Sequence, residues 1–329
     1  MTVPFESVIV RFIKDWTLAI AIAVGAAIYL TFAFTPELSD AADFFAPILD
    51  AMLPMFMFLV LFVTFCKVDF KKLRIVPWHL WVSAFQILTV ALISGIVIDF
   101  DMTGNSLVLM EAMLLCIIGP CAAAAAVVVK KIGGNMEQMT TYTFLSNFIT
   151  AILIPICFPL IDNRAEMSFW ESFALILYKV CMVLVVPMLL AYIVKHWMKR
   201  LHRAIISVKD LAYYMWCGSL MIVTGTTVKN IVHADTTWIF LVTIAIVVFV
   251  LCLMQFAVGK FIGHYFDNAI NAGQALGQKN TAFAIWIAYT YLNPLSSVGP
   301  GCYILWQNII NSIEIWAHER RQRQIENKK

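Results

Sequence analysis

The residues with chemistry to offer lie where the chain is otherwise most apolar. In "AGQALGQKNTAFAIWIAYTYL" (272–292), Lys279 stands between Gln278 and Asn280, just after Gly273 and Gly277. In "IIGPCAAAAAVVVKK", Gly119 and Pro120 precede Cys121 and the alanine run 122–126. Proline removes a backbone donor and clashes with the preceding turn, so a helix in lipid unwinds at such a place. Unwinding uncovers backbone amides at the start of the next half-helix, and these amides with the helix dipole attract an anion. The spacing predicts half-helices starting near Ala122 and Asn280, with small side chains at 122–126 that let a ligand approach the backbone. The competing reading is a proline kink with a small-residue packing face.

These two stretches must be held by membrane helices. The chain of 329 residues is 62% hydrophobic and 13% charged, with a mean hydropathy of +0.85. Soluble domains hold roughly 45–50% apolar and about 25% charged residues, so a polytopic membrane protein is expected. A span takes about 20 apolar residues. Ten are placed near 16–34, 44–66, 78–98, 106–129, 138–160, 170–194, 211–228, 237–259, 270–291 and 299–317. The eight cysteines lie mostly in apolar runs without CxxC or Cys/His grouping, which points to packing and gives no support for a metal centre. The start "MTVPFESVIVRFIKDW" lacks the pattern of a cleaved signal peptide.

The connections alternate in charge. One side receives 19 of the 23 Lys and Arg residues, among them Lys67, Lys71, Lys130, Lys195, Arg203 and the tail "HERRQRQIENKK". The other receives "TPELSDAADF", "DFDMTGN" and "IDNRAEMS". Lys/Arg bias sets orientation, so both termini are expected in the cytoplasm, in a plasma (inner) membrane. The breaks at 119 and 277 are 158 positions apart, each in the fourth of five spans. An odd number of spans per repeat inverts the second repeat. The expected architecture is therefore all-α, two inverted five-helix repeats (1–160 and 161–329) with helices four and nine broken. Paired interruptions of this kind mark the binding site of a secondary transporter.

The stretches "GPCAAAAAVVVKKIGGN" and "GQKNTAFAIWIAYTYLNPLSSVGPGCYILWQNIINS" resemble the bile acid:sodium symporter (BASS, SBF-like) family. The resemblance implies a core of spans 3–5 and 8–10, a panel of spans 1, 2, 6 and 7, and crossing broken helices. It implies alternating-access transport of organic anions such as bile acids, sulfated steroids or small carboxylates, and no enzymatic activity. Carried over by position, Ala122, Ala123, Asn280, Thr281, Gln307 and Asn308 would line the substrate site, with Lys279 supplying its positive field. Gln86 matches a glutamine that helps hold sodium.

The remaining sodium positions depart from the family pattern. Ala125 and Ala126 stand where Ser-Asn is expected, and Met139 replaces a hydroxyl that Thr143 keeps nearby. Ala275 stands for a glutamate and Lys279 for a glutamine. Hard cations take oxygen ligands; alanine has none, and an ammonium repels the ion. Sodium coupling is thus expected to be weakened or lost, with Lys279 a built-in cation and proton coupling, anion exchange or uniport open. Lys179, mid-way along the sixth span, reads either as a panel cation facing the substrate or as a partner of Glu111 or lipid phosphate. Glu111 is expected at the outer interface. Trp78, Trp81, Trp170, Trp238 and Trp316 read as an interfacial belt, and the six histidines mostly as loop or interface residues. Cys121 leaves an arsenite exporter as an alternative, since a thiolate suits a soft metalloid; a membrane sensor or scaffold is the other. The expected partners are a small organic anion and membrane lipid, with no cofactor and no nucleic acid, as a monomer or homodimer.

Overall fold

The computed structural model describes residues 8–161, 168–208, 211–233 and 236–326. The first seven residues, most of the acidic connection "IDNRAEMS", Lys209 and the last three residues lie outside the described residues. Fourteen helices follow in order: α1 (Val8–Phe34), α2 (Ser39–Cys66), α3 (Pro77–Asp99), α4 (Gly104–Ile118), α5 (Ala125–Lys131), α6 (Met136–Ile161), α7 (Phe169–Leu184), α8 (Val186–Trp197), α9 (Lys199–Ser207), α10 (Leu211–Val232), α11 (Trp238–His264), α12 (Ala269–Gly277), α13 (Thr281–Tyr291) and α14 (Val298–Glu326). Among the described residues there is no strand, only one isolated β-bridge. Among the described residues, five segments are long and apolar enough to cross a membrane: Pro36–Cys66, Pro77–Asp99, Met136–Ile161, Phe169–Trp197 and Trp238–His264.

Helix starts follow local chemistry. Ser168 and Glu171 form a capping box at α7, the Glu171 carboxylate accepting from Ser168 N at 2.9 Å. Thr237 caps α11 by accepting from Phe240 N. The apolar stretch 106–129 is two helices, α4 and α5, and 270–291 is likewise α12 and α13. The stretch 170–194 is also divided, at Val185, an interruption the span pattern does not announce. Pro187 in the first turn of α8 accounts for it, because its ring and missing N–H prevent a continuous ladder.

Packing sorts the helices into neighbourhoods. α1 and α2 both pack on α10, and α2 packs on α8. α11 is the hub of the rest, touching α3, α4, α12 and α14. Small residues allow the closest approach: a Cβ at Gly259 would run into the Ala272 carbonyl oxygen, and one at Gly263 into that of Asn268.

One expectation fails here, because a neighbouring helix covers the residue. Trp78 is buried, its Nε1 donating to Gln138 Oε1 at 2.9 Å on α6, and so is no belt residue. His79 is buried beside it, its Nδ1 accepting from Val76 N at 3.2 Å. Glu111 is buried and accepts from Asn293 N at 3.2 Å, in the link after α13. Trp81, Trp170, Trp238 and Trp316 are exposed, as a belt requires.

Candidate functional site

The two breaks meet. Cys121 and Lys279 form the antiparallel bridge, with Ala122 N donating to Gln278 O at 3.0 Å and Asn280 N donating to Pro120 O at 2.8 Å. Ser146 on α6 accepts from Cys121 N at 2.6 Å, and Gln307 on α14 accepts from Lys279 N at 2.9 Å. Unwound backbone in a membrane must find partners within the protein; here each break supplies them to the other.

The C-terminal end of α4 is the electrostatic centre of the crossing. A helix leaves its last four carbonyls without intrahelical donors and carries partial negative charge there. Leu115 O accepts from Gly119 N at 3.3 Å and Cys116 O from Gln255 Nε2 at 3.2 Å. Ile118 O accepts from Thr150 Oγ1 at 2.8 Å. Ile117 O accepts from the Lys279 ammonium at 2.8 Å, and Gln86 Nε2 reaches the Ile117, Ile118 and Gly119 oxygens at 3.0, 3.3 and 3.4 Å. Lys279 is 1% exposed, one of the largest fully buried side chains. Its charge is thus placed on a negative helix end.

The residues expected at the substrate site separate into two groups. Ala122, Ala123, Asn280 and Asn308 are half-buried, whereas Lys279, Thr281 and Gln307 are buried. Asn280 caps α13, its Oδ1 accepting from Phe283 N at 3.2 Å. Gln307 clasps Lys279, accepting from its N–H and donating to its carbonyl at 3.3 Å. Asn308 donates to Ile304 O of its own helix at 2.7 Å. One expectation moves: the second half-helix of the first break begins at Ala125, not near Ala122, because residues 120–122 are drawn into the bridge.

Of the positions expected to bear on a coupling ion, Ala125, Met139 and Ala275 are buried methyl or thioether groups, and Ala126 is half-buried. Thr143 donates to Met139 O at 3.0 Å, and Gln86 faces the α4 carbonyls with its nitrogen. Hard cations take oxygen ligands; Ala125, Ala126 and Ala275 offer none, whereas Gln86 Oε1, which accepts from Tyr142 OH at 3.4 Å, and Thr143 Oγ1 keep oxygens here. Cys121 is buried, its thiol 3.7 Å from Ala122 O and 3.9 Å from Thr143 Oγ1. Lys179 is exposed, with Nζ 5.6 Å from the centroid of the Tyr291 ring.

Several residues that position the crossing escaped the sequence reading. Gln255 bonds both Cys116 O and Tyr303 OH, and the Tyr303 hydroxyl donates to Gly277 O at 2.7 Å. Gln274 donates to Asn311 Oδ1 and Glu314 Oε2, both at 2.9 Å, and Glu314 pairs with Lys260. Asn271 and Asn135 tie α12 to the start of α6 reciprocally, at 2.6 and 2.8 Å. The available signal was a lone amide in the most apolar span: Gln255 lies in Trp238–His264, whose most apolar 18 residues have a mean hydropathy of 2.9.

No individual curated protein matches the chain. The sequence model of the Sodium Bile acid symporter family matches residues 54–234, more than half of its length, from the middle of α2 through the first break to the end of α10. Together with the apolar helices this makes the protein a multi-pass integral membrane protein. The chain belongs to the sodium bile acid symporter family, a family of transporters and not of enzymes.

Proposed function

We propose that the protein is a secondary active transporter of a small organic anion, of bile-acid-like, steroid-like or carboxylate chemistry, whose sodium coupling is weakened or lost. The observation that carries this reading is the Lys279 ammonium on the Ile117 carbonyl, inside the crossing of two interrupted helices. A fixed cation there balances the negative end of α4 and gives the crossing a positive field without an ion from solution. The half-buried Asn280, Asn308, Ala122 and Ala123 form the face a substrate anion reaches. Thr281 is buried beneath that face, its N–H donating to Lys279 O at 3.0 Å, and Gln307 holds the break in register behind it.

The architecture that goes with this function is ten spans in two inverted repeats, 1–160 and 161–329, with both termini in the cytoplasm of an inner membrane. The core comprises α3–α6 and α11–α14; the panel comprises α1, α2, α7, α8 and α10, and the two move against each other. The regular spacing of the breaks and the alternation of basic connections support it. Nothing at Cys121 favours the metalloid reading, and no observation favours a non-transporting sensor or scaffold.

The test is anion flux in proteoliposomes, with and without a sodium gradient, at two pH values. Flux indifferent to sodium supports the proposal, and a response to the pH gradient identifies the proton as the coupling ion. Steep sodium dependence overturns the reading of Lys279. The absence of flux for bile acids, sulfated steroids and small carboxylates overturns the substrate class.

A further inference from the structure

A second charged surface lies outside the crossing. The helix α9, KRLHRAIIS, directly follows the membrane-spanning segment Phe169–Trp197, so it sits where that segment leaves the bilayer. At about 100° per residue, Lys199, Arg200 and Arg203 fall within about 100° of arc on one side of the helix, and all three are exposed. The other side is anchored: His202 Nε2 donates to Cys66 O at 2.8 Å at the end of α2, and Ile205 packs against the core. Ile206 borders the basic arc and is exposed, Leu201 is exposed on the anchored side beside Ile205, and Trp197 just before the helix is 72% exposed. Arg203 Nε donates to Lys199 O at 3.4 Å, which leaves both terminal amino groups of its guanidinium. Among the described residues none of the three cations is paired with a carboxylate, and no acidic residue occurs between Glu171 and Asp210.

A cationic arc bordered by an exposed apolar side chain, fixed in rotation by its opposite face, suits a helix lying in the headgroup region. We propose that α9 is a binding surface for acidic phospholipid headgroups, with Lys199, Arg200 and Arg203 contacting phosphate and Ile206 seated among the upper acyl chains. Charge complementarity selects this occupant: three unpaired cations at the bilayer edge meet the one abundant source of fixed negative charge there. The proposal does not depend on what the protein transports.

Trp197 is the reporter. The full chain is placed in phosphatidylcholine bilayers containing brominated phosphatidylglycerol or, at equal mole fraction, brominated phosphatidylcholine. The Trp197 signal is taken as the difference from Trp197→Phe. Quenching severalfold stronger by the acidic lipid, declining with added salt, is the expected result. Lys199→Gln, Arg200→Gln and Arg203→Gln each weaken the preference by up to about fivefold, and the triple variant abolishes it with an unchanged melting temperature. Equal quenching by the two lipids, or a preference that survives the triple substitution, overturns the proposal.

Discussion

The Lys279 ammonium and the Ile117 carbonyl oxygen lie 2.8 Å apart, joining the second break to the last turn of a half-helix 162 positions earlier in the chain. If this contact takes the place of a mobile cation, removing the ammonium and restoring a carboxylate nearby makes room for one. The double variant Ala275→Glu/Lys279→Gln is expected to gain sodium-stimulated anion flux, several times that without a gradient. Wild-type flux is expected to be indifferent to sodium. A double variant that folds, transports and still ignores sodium defeats the idea.

Gln307 and Asn308 are neighbours with different expected phenotypes. Gln307→Leu leaves the buried Lys279 N–H unpaired, while the Lys279 carbonyl keeps the Thr281 N–H at 3.0 Å; the loss costs about 1–3 kcal/mol. Its melting temperature in detergent should fall and its maximal flux with it. Asn308→Ala loses only a bond to its own helix. It should keep its melting temperature and show a raised KM for the anion, because a half-buried amide facing substrate is gone. Equal losses of stability in the two variants contradict this division.

Lys179 is an exposed charge within a spanning segment, over the ring of Tyr291. Charges at that depth occur where they face a water-filled route or a partner. Lys179→Gln is expected to raise the KM for the anion about tenfold, equivalent to about 1.4 kcal/mol, while Lys179→Arg largely preserves it. Stability should change by less than about 1 kcal/mol, the worth of an exposed cation–π contact. An unchanged KM in Lys179→Gln would place this lysine off the substrate route.

The seam between α11 and α12 gives a stability contrast free of any assumption about transport. Gly259→Ala drives a methyl group into the Ala272 carbonyl and is expected to destabilise by about 1–3 kcal/mol. Gly95→Ala, in α3, meets nothing within 4 Å. It should be neutral or stabilising by roughly 0.5–1 kcal/mol through the helix preference of alanine. Thermal unfolding in detergent measures both, and similar melting temperatures for the two variants would contradict the close packing of this seam.

Much of the fold was legible because the bilayer is a demanding solvent. Length and hydropathy mark the helices; proline and glycine at 119–120 and 273–277 mark two interruptions, since backbone in lipid must be helical or paired. Asn280 as the cap of α13 was readable from its type and place. The division at Val185 was not, because a lone proline does not announce a break: Pro47 and Pro54 lie inside an unbroken α2, and Pro155 and Pro159 inside an unbroken α6. Trp78 and His79 look like interface residues by position, and only the packing of α3 on α6 puts them inside.

By itself the sequence determined that this is a polytopic membrane protein of the sodium bile acid symporter family, with a lysine and a run of alanines at its two interruptions. Only the tertiary structure decided what those residues touch. That Lys279 rests on the end of α4, that Gln86, Thr150 and Gln255 share the other α4 carbonyls, and that Gln307 clasps the second break are contacts across 28 to 162 positions of sequence. Hydropathy and helical period are local, whereas the partner of an unsatisfied carbonyl is chosen by whichever donor the packing of distant helices brings within 3 Å.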